Sequence, residues 1–131
     1  MSGKIPALRI LIVEDEPLIR WAMAETLLHL GYAVTEVGSA RETIAQLDRG
    51  HVPDLVFLDF RLPDSSDLQL LETIRRRAPE SGIVMMTAFA TPEMAREAYT
   101  VGATRVLDKP LEMADLPSLV EQCQPVRRRR S

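Results

Sequence analysis

The sequence predicts an α/β protein in which a five-stranded parallel sheet is covered on both faces by helices, a three-layer (βα)5 array. Short apolar runs alternate five times with stretches of helical period, and nearly every switch is marked by a cap or turn residue. Several of the runs are continuously apolar, as expected for strands buried on both faces. Strands separated by helices of this length imply right-handed βαβ units and a parallel sheet.

Leu8–Val13, interrupted only by Arg9, reads as the first strand. Pro17 suits the first helical position, and Ile19, Ala22, Met23, Thr26, Leu27 and Leu30 recur at three- and four-residue steps until Gly31 stops the helix. Ala33–Val37 alternates, as a strand nearer the edge would. Ser39 and Glu42 then form the S-x-x-E capping box of a helix ending at Gly50. Leu55–Phe60 is the third strand, followed by a helix carrying Leu68, Leu71 and Ile74. Ile83–Thr87 is the fourth, and Thr91-Pro92-Glu93 opens a helix that turns Met94, Ala95, Ala98 and Val101 inward before Gly102. Arg105–Leu107 is the fifth strand, and Asp115 caps a last helix running to about Cys123.

The 131 residues suit one compact unit, with 46% apolar and 27% charged residues, a globular composition. Arg127–Arg130 supply four of the sixteen basic residues, so the rest carries twelve basic against nineteen acidic groups, a net of −7. That acidic body argues against direct nucleic-acid binding by the folded part. The arginine run reads as a solvated terminus or linker stump. The lone Cys123 offers no internal disulfide, and no run approaches the roughly 18 apolar residues of a membrane helix. The expectation is a soluble cytoplasmic protein with no membrane partner.

In doubly wound sheets chemistry sits beyond the carboxyl ends of the strands. Here those ends are Glu14-Asp15-Glu16, Asp59, Thr87 and Asp108-Lys109-Pro110, which converge on one rim. Clustered carboxylates repel unless a cation neutralises them, and a hard divalent ion, Mg²⁺ above all, suits an all-oxygen site. With a hydroxyl and a lysine, these are the parts for phosphoryl transfer to an aspartate. Only two lysines, Lys4 and Lys109, stand against fourteen arginines, which makes the compact ammonium at 109 informative.

Four segments in order carry a resemblance: Ile12-Val13-Glu14-Asp15-Glu16-Pro17, Leu55-Val56-Phe57-Leu58-Asp59 with Arg61-Leu62-Pro63, Met86-Thr87-Ala88, and Leu107-Asp108-Lys109-Pro110. Through them the chain resembles the receiver domain of two-component response regulators over residues 8–123, leaving 1–7 as an extension and 124–131 as the tail. The resemblance implies a flavodoxin-like sheet of order 2-1-3-4-5 and a phosphorylation switch rather than an enzyme acting on other substrates. By the same resemblance, Asp59 is the phosphoacceptor; Asp15 and Asp59 ligate Mg²⁺ directly, Glu14 acts through water, and the Arg61 carbonyl completes the protein ligands. Thr87 and the Ala88 N–H bond the phosphoryl group, Lys109 pairs with it, and Lys109–Pro110 is cis. A sensor histidine kinase is the implied donor, the surface of the fourth helix, fifth strand and fifth helix the implied output, and self-association on phosphorylation a further expectation.

Asp15-Glu16-Pro17-Leu18-Ile19-Arg20-Trp21 and Arg61-Leu62-Pro63 look like the NtrC type, whose receivers precede an ATPase and a DNA-binding module. A transcriptional output module or partner is therefore expected, with a stand-alone receiver in a phosphorelay as the alternative. Two positions depart from the family: Val106 replaces the usual strand-five aromatic, and Asp67 stands where the family places Gly, so a different loop shape is expected there. Trp21, Met85, Met86 and Met94 read as core, Tyr99 as half-buried, and Arg75–Arg77 as an exposed helix face. An Asp-nucleophile phosphatase is the rival from another class. It needs an acid/base Asp two positions after the nucleophile, where this chain has Arg61. A flavin- or nucleotide-binding protein would want a phosphate loop where Glu14-Asp15-Glu16 repels phosphate.

Overall fold

A computed structural model describes residues 7–125; residues 1–6 of the expected extension and 126–131, with the arginine run, lie outside the described residues. The strands are β1 (Arg9–Val13), β2 (Ala33–Val37), β3 (Leu55–Asp59), β4 (Gly82–Thr87) and β5 (Arg105–Asp108), all paired in parallel in the order β2-β1-β3-β4-β5. The helices are α1 (Pro17–His29), α2 (Ala40–Asp48), α3 (Gln69–Arg77), α4 (Pro92–Val101) and α5 (Leu116–Cys123).

Successive strand residues point to opposite faces, and the core divides accordingly. Ile10, Ile12, Leu55, Phe57, Val84 and Met86 face α1 and α5, meeting Met23, Leu27, Leu116 and Val120. Leu11, Val13, Val56, Leu58, Ile83 and Met85 face α2, α3 and α4, meeting Leu47, Leu71, Ile74 and Ala98. The sheet is thus a doubly covered platform whose carboxyl ends open on one rim.

Local chemistry sets the ends of the elements. Ser39 accepts the Glu42 N–H, but the Glu42 carboxylate reaches Gly38 N–H, one residue before the reciprocal partner of an ideal capping box. Asp64, from the β3–α3 loop, accepts the N–H groups of Ala40 and Arg41 at the start of α2, and these bonds hold its carboxyl below the usual carboxylate range. At Asp67 no left-handed backbone is needed, since its side chain accepts Gln69 N–H and closes the loop as an Asx turn. The final helix departs from expectation because Asp115 makes no side-chain cap and instead ends a 3₁₀ turn over Met113–Asp115.

Three side chains lie elsewhere than the sequence suggests. Trp21 is 59% exposed, and Leu30 is also exposed. Apolar residues encircle α1, with Leu18, Trp21 and Leu28 exposed on its outer side and Met23 and Leu27 inside, so residue type alone does not identify the buried face. Arg75 is not on an exposed face with Arg76 and Arg77. Its guanidinium reaches under the end of α4, donating to the Gly102 carbonyl from Nε and Nη2 at 3.1 and 2.7 Å. Nη1 donates to the carbonyls of Ser81 and Pro79 at 2.7 and 2.9 Å. Burial lowers the Arg75 pKa. Gly102 adopts φ +139°, open to glycine, and any Cβ there would lie 2.7 Å from the Arg75 side chain.

Candidate functional site

All seven residues picked out from the sequence, Glu14, Asp15, Asp59, Arg61, Thr87, Ala88 and Lys109, line one cavity of about 310 Å³ at the carboxyl rim, together with Glu16, Phe60 and Phe89. Each is delivered by a strand end. β1 runs directly into Glu14 and Asp15, and the Glu14 N–H continues the ladder onto Val37 carbonyl at 3.0 Å. Asp59 ends β3 and Thr87 ends β4; Lys109 follows β5, with its N–H on the Thr87 carbonyl at 2.8 Å.

Glu14, Asp59 and Thr87 are buried, while Asp15 is exposed at the mouth. Carboxylate oxygens of Glu14, Asp15 and Asp59 all lie within 4.8 Å of one another. The Lys109 ammonium sits between two of them, 3.0 Å from Glu14 Oε1 and 3.2 Å from Asp59 Oδ2. The second Glu14 oxygen accepts Glu16 N–H, and the other oxygen of Asp59 accepts Arg61 N–H. No buried side-chain polar atom among the described residues lacks a partner.

The electrostatics follow from this packing. Burial pushes the Glu14 carboxyl up, against the pull of Glu16 N–H and the Lys109 ammonium, and the Asp59 charge adds to the rise. Burial disfavours the charged Lys109, but its bonds and attraction to Glu14 and Asp59 outweigh that and leave its pKa raised. The acidic rim therefore carries a fixed cation. Three carboxylates around one point, with no thiol or imidazole beside them, form a donor set that fits a hard oxygen-seeking cation. The Lys109–Pro110 peptide is cis.

Sequence reading missed two side chains' bonds to backbone, that of Arg20 at this site and that of Tyr99 between α4 and β5. Arg20 Nη1 donates to the Glu14 carbonyl at 2.8 Å, and Val106 N–H donates to the Tyr99 hydroxyl at 3.1 Å. In both cases one partner is backbone, which residue spacing does not display.

An acidic cluster, a hydroxyl and a lysine thus share the carboxyl rim of a doubly wound 2-1-3-4-5 sheet, the class of protein to which the fold and site assign the chain. The chain belongs to the response regulator receiver domain family, whose pattern matches residues 10–121. It is 37% identical over 116 residues to the transcriptional regulatory protein PdtaR of Mycobacterium tuberculosis, covering 86% of this chain and 55% of that protein. To the DNA-binding transcriptional regulator NtrC of Salmonella typhimurium it is 32% identical over 111 residues, covering 85% of this chain and 24% of that protein. The chain thus spans about half the length of one relative and a quarter of the other. Among solved structures, a CheY-like receiver domain protein from Methanospirillum hungatei superposes with a TM-score of 0.83 at 28% identity, over 88% of this chain and 92% of that one. Among the described residues no helix is long and apolar enough to cross a membrane.

Proposed function

We propose that this domain accepts a phosphoryl group on Asp59 from a histidine kinase or a small phosphodonor and signals through its α4, β5 and α5 surface to a transcriptional output module. The observation that carries this reading is the Lys109 ammonium shared between Glu14 and Asp59, with Thr87 on the same rim. An Asp59 carboxylate oxygen attacks phosphorus, the bond to the donor's leaving group breaks, and an acyl phosphate results. Lys109 supplies positive charge for the phosphoryl oxygens, and Thr87 Oγ1 and Ala88 N–H supply hydrogen bonds. Asp15, Asp59 and the Arg61 carbonyl are the proposed Mg²⁺ ligands, with Glu14 acting through water. Magnesium, when bound, neutralises charge on the acidic rim and on the transferring group. The 32% identity to NtrC favours the transcriptional output over a stand-alone relay protein. Arg61, at the position where the phosphatase rival needs an acid, disfavours that rival.

Incubation of the protein with acetyl phosphate and Mg²⁺ tests the reading. The expected result is one added phosphoryl group by intact mass, labile to hydroxylamine as an acyl phosphate. Absence of incorporation with both acetyl phosphate and kinase would sink it.

The lifetime of that group follows from the mouth of the cavity. Arg61 and the 83% exposed Phe89 flank the approach to Asp59, two residues beyond Asp59 and Thr87 respectively. Both are bulky, and in this reading they hinder the water that hydrolyses the acyl phosphate. Replacing both by Ala is expected to hasten dephosphorylation, measured as the decay of the added phosphoryl mass. Unchanged decay of the phosphorylated double variant would remove them from that role.

Output is expected to run through α4. Val106, partly buried against the α2–α4 face, has no ring to reorient and a stiff χ1. The Tyr99 hydroxyl instead joins α4 to β5 through Val106 N–H. A beryllofluoride adduct on Asp59 is expected to change amide exchange across Pro92–Val101 and to increase self-association in sedimentation. With Asp59 shown to be occupied, unchanged exchange and unchanged association would exclude this face as the output.

A further inference from the structure

We propose that Arg20 is a positioning residue for the metal-binding turn, holding the Glu14–Asp15 peptide so that the Asp15 carboxylate is aimed at the cation site; this rests on reading Glu14, Asp15 and Asp59 as that site. Asp15 is the exposed member of the cluster, and among the described residues its side chain makes no hydrogen bond or ion pair. With no partner on the side chain, what the fold fixes is the backbone from which it departs, and with it the set of rotamers that reach the cation site. The Glu14 carbonyl and the Asp15 N–H belong to one rigid peptide plane, so whatever fixes that oxygen fixes the plane from which Asp15 departs. Arg20 Nη1 fixes it, at 2.8 Å. The guanidinium is steadied in turn by Glu36 at the end of β2, with Nε 3.4 Å from Oε1, and its backbone N–H closes the first turn of α1 on the Glu16 carbonyl at 2.9 Å.

Gly38 supplies an independent sign that this space is kept for the guanidinium. Its φ is not in the left-handed region, so no backbone conformation demands glycine. A Cβ there would lie 3.1 Å from Arg20 Nη1 and 3.8 Å from the Glu14 carbonyl oxygen. Any side chain at 38 crowds the group that holds the turn.

The sign of the effect separates positioning from simple charge. A guanidinium bonded to the peptide that joins two of the carboxylate residues carries positive charge toward the cation site, so by Coulomb's law alone its removal does not weaken metal binding. Removal of a positioning residue loosens it, by about tenfold to a hundredfold for groups that orient metal ligands. The test uses Mn²⁺ as the probe, with free ion followed by electron paramagnetic resonance in the unphosphorylated protein. Arg20→Met is expected to weaken Mn²⁺ binding about tenfold, and Arg20→Lys to weaken it as well, because an ammonium lacks the fork that serves the carbonyl and Glu36 together. In an Asp15→Asn background, Arg20→Met is expected to cost little more, since the ligand it positions is already gone. Gly38→Ala keeps the charge and the arginine yet is expected to weaken binding severalfold, and it serves where Arg20→Met does not fold.

Binding by Arg20→Met as tight as wild type or tighter overturns the role of Arg20 alone, as does a full additional loss in the Asp15→Asn background. Wild-type protein that takes up no Mn²⁺ overturns the metal-site reading itself.

Discussion

Asp59→Asn is expected to keep the fold and lose phosphoryl incorporation to the limit of detection. The carboxamide has nearly the shape of the carboxylate but is no nucleophile toward phosphorus at neutral pH. The substitution also removes one anion from a cluster whose oxygens lie within 4.8 Å, which relieves repulsion. Lys109 retains its 3.0 Å bond to Glu14 and is not stranded. Thermal unfolding should therefore match wild type or exceed it slightly, while intact mass after acetyl phosphate shows no addition. Incorporation undiminished in this variant would move the acceptor to another residue and undo the role assigned to Asp59.

Gly82→Ala is expected to be strongly destabilising, the most damaging alanine substitution among the described glycines. Gly82 opens β4 where the last turn of α5 crosses it, and an added Cβ would lie 1.8 Å from the Cys123 carbonyl oxygen and 2.8 Å from Leu55 Cδ1. The obstructing atom is backbone, so a rotamer change cannot relieve the clash and α5 must move off the sheet. Overpacking of this kind costs about 3 kcal/mol, equivalent to roughly 10 °C in Tm for a domain of this size. Gly50→Ala is the informative contrast. Nothing lies within 4 Å of its added Cβ, and its φ of +80° alone sets the cost at about 1 kcal/mol. Equal loss in the two variants, measured by thermal or urea unfolding, would contradict the steric account.

The parts of the site legible in the sequence were those whose meaning depends on strand ends. A parallel sheet brings every carboxyl end to one rim, so the positions of five apolar runs are enough to bring Glu14, Asp59, Thr87 and Lys109 together. Arg20, Arg75 and Tyr99 were not legible because each meets a carbonyl or an N–H, and every residue offers those alike. Trp21 was misplaced for a different reason. Where apolar side chains encircle a helix, periodicity no longer marks an inside, and only the packing of Met23 and Leu27 on the sheet settles which face turns inward. Asp64, capping α2 from a loop more than twenty residues on, belongs to the same class of contact. Its partners are the unpaired amides of a helix start, which no spacing rule connects to a distant aspartate.

The clamp made by Arg75 turns α4 into a lever with its fulcrum at the far end. The guanidinium grips the Gly102 carbonyl by two bonds and is braced on Ser81 and Pro79, so the last turn of the helix cannot slide along the sheet. The opposite end, beside Thr87, packs on the core through the partly buried Met94, and its loop is held by Ala90 N–H to Asp108. Ten helical residues span about 15 Å. A push delivered at the β4–α4 loop is therefore expected to rotate the helix about Gly102, with travel greatest at Pro92 and least at Val101. The stretch of surface that moves most is then the stretch nearest the site where the phosphoryl group would arrive.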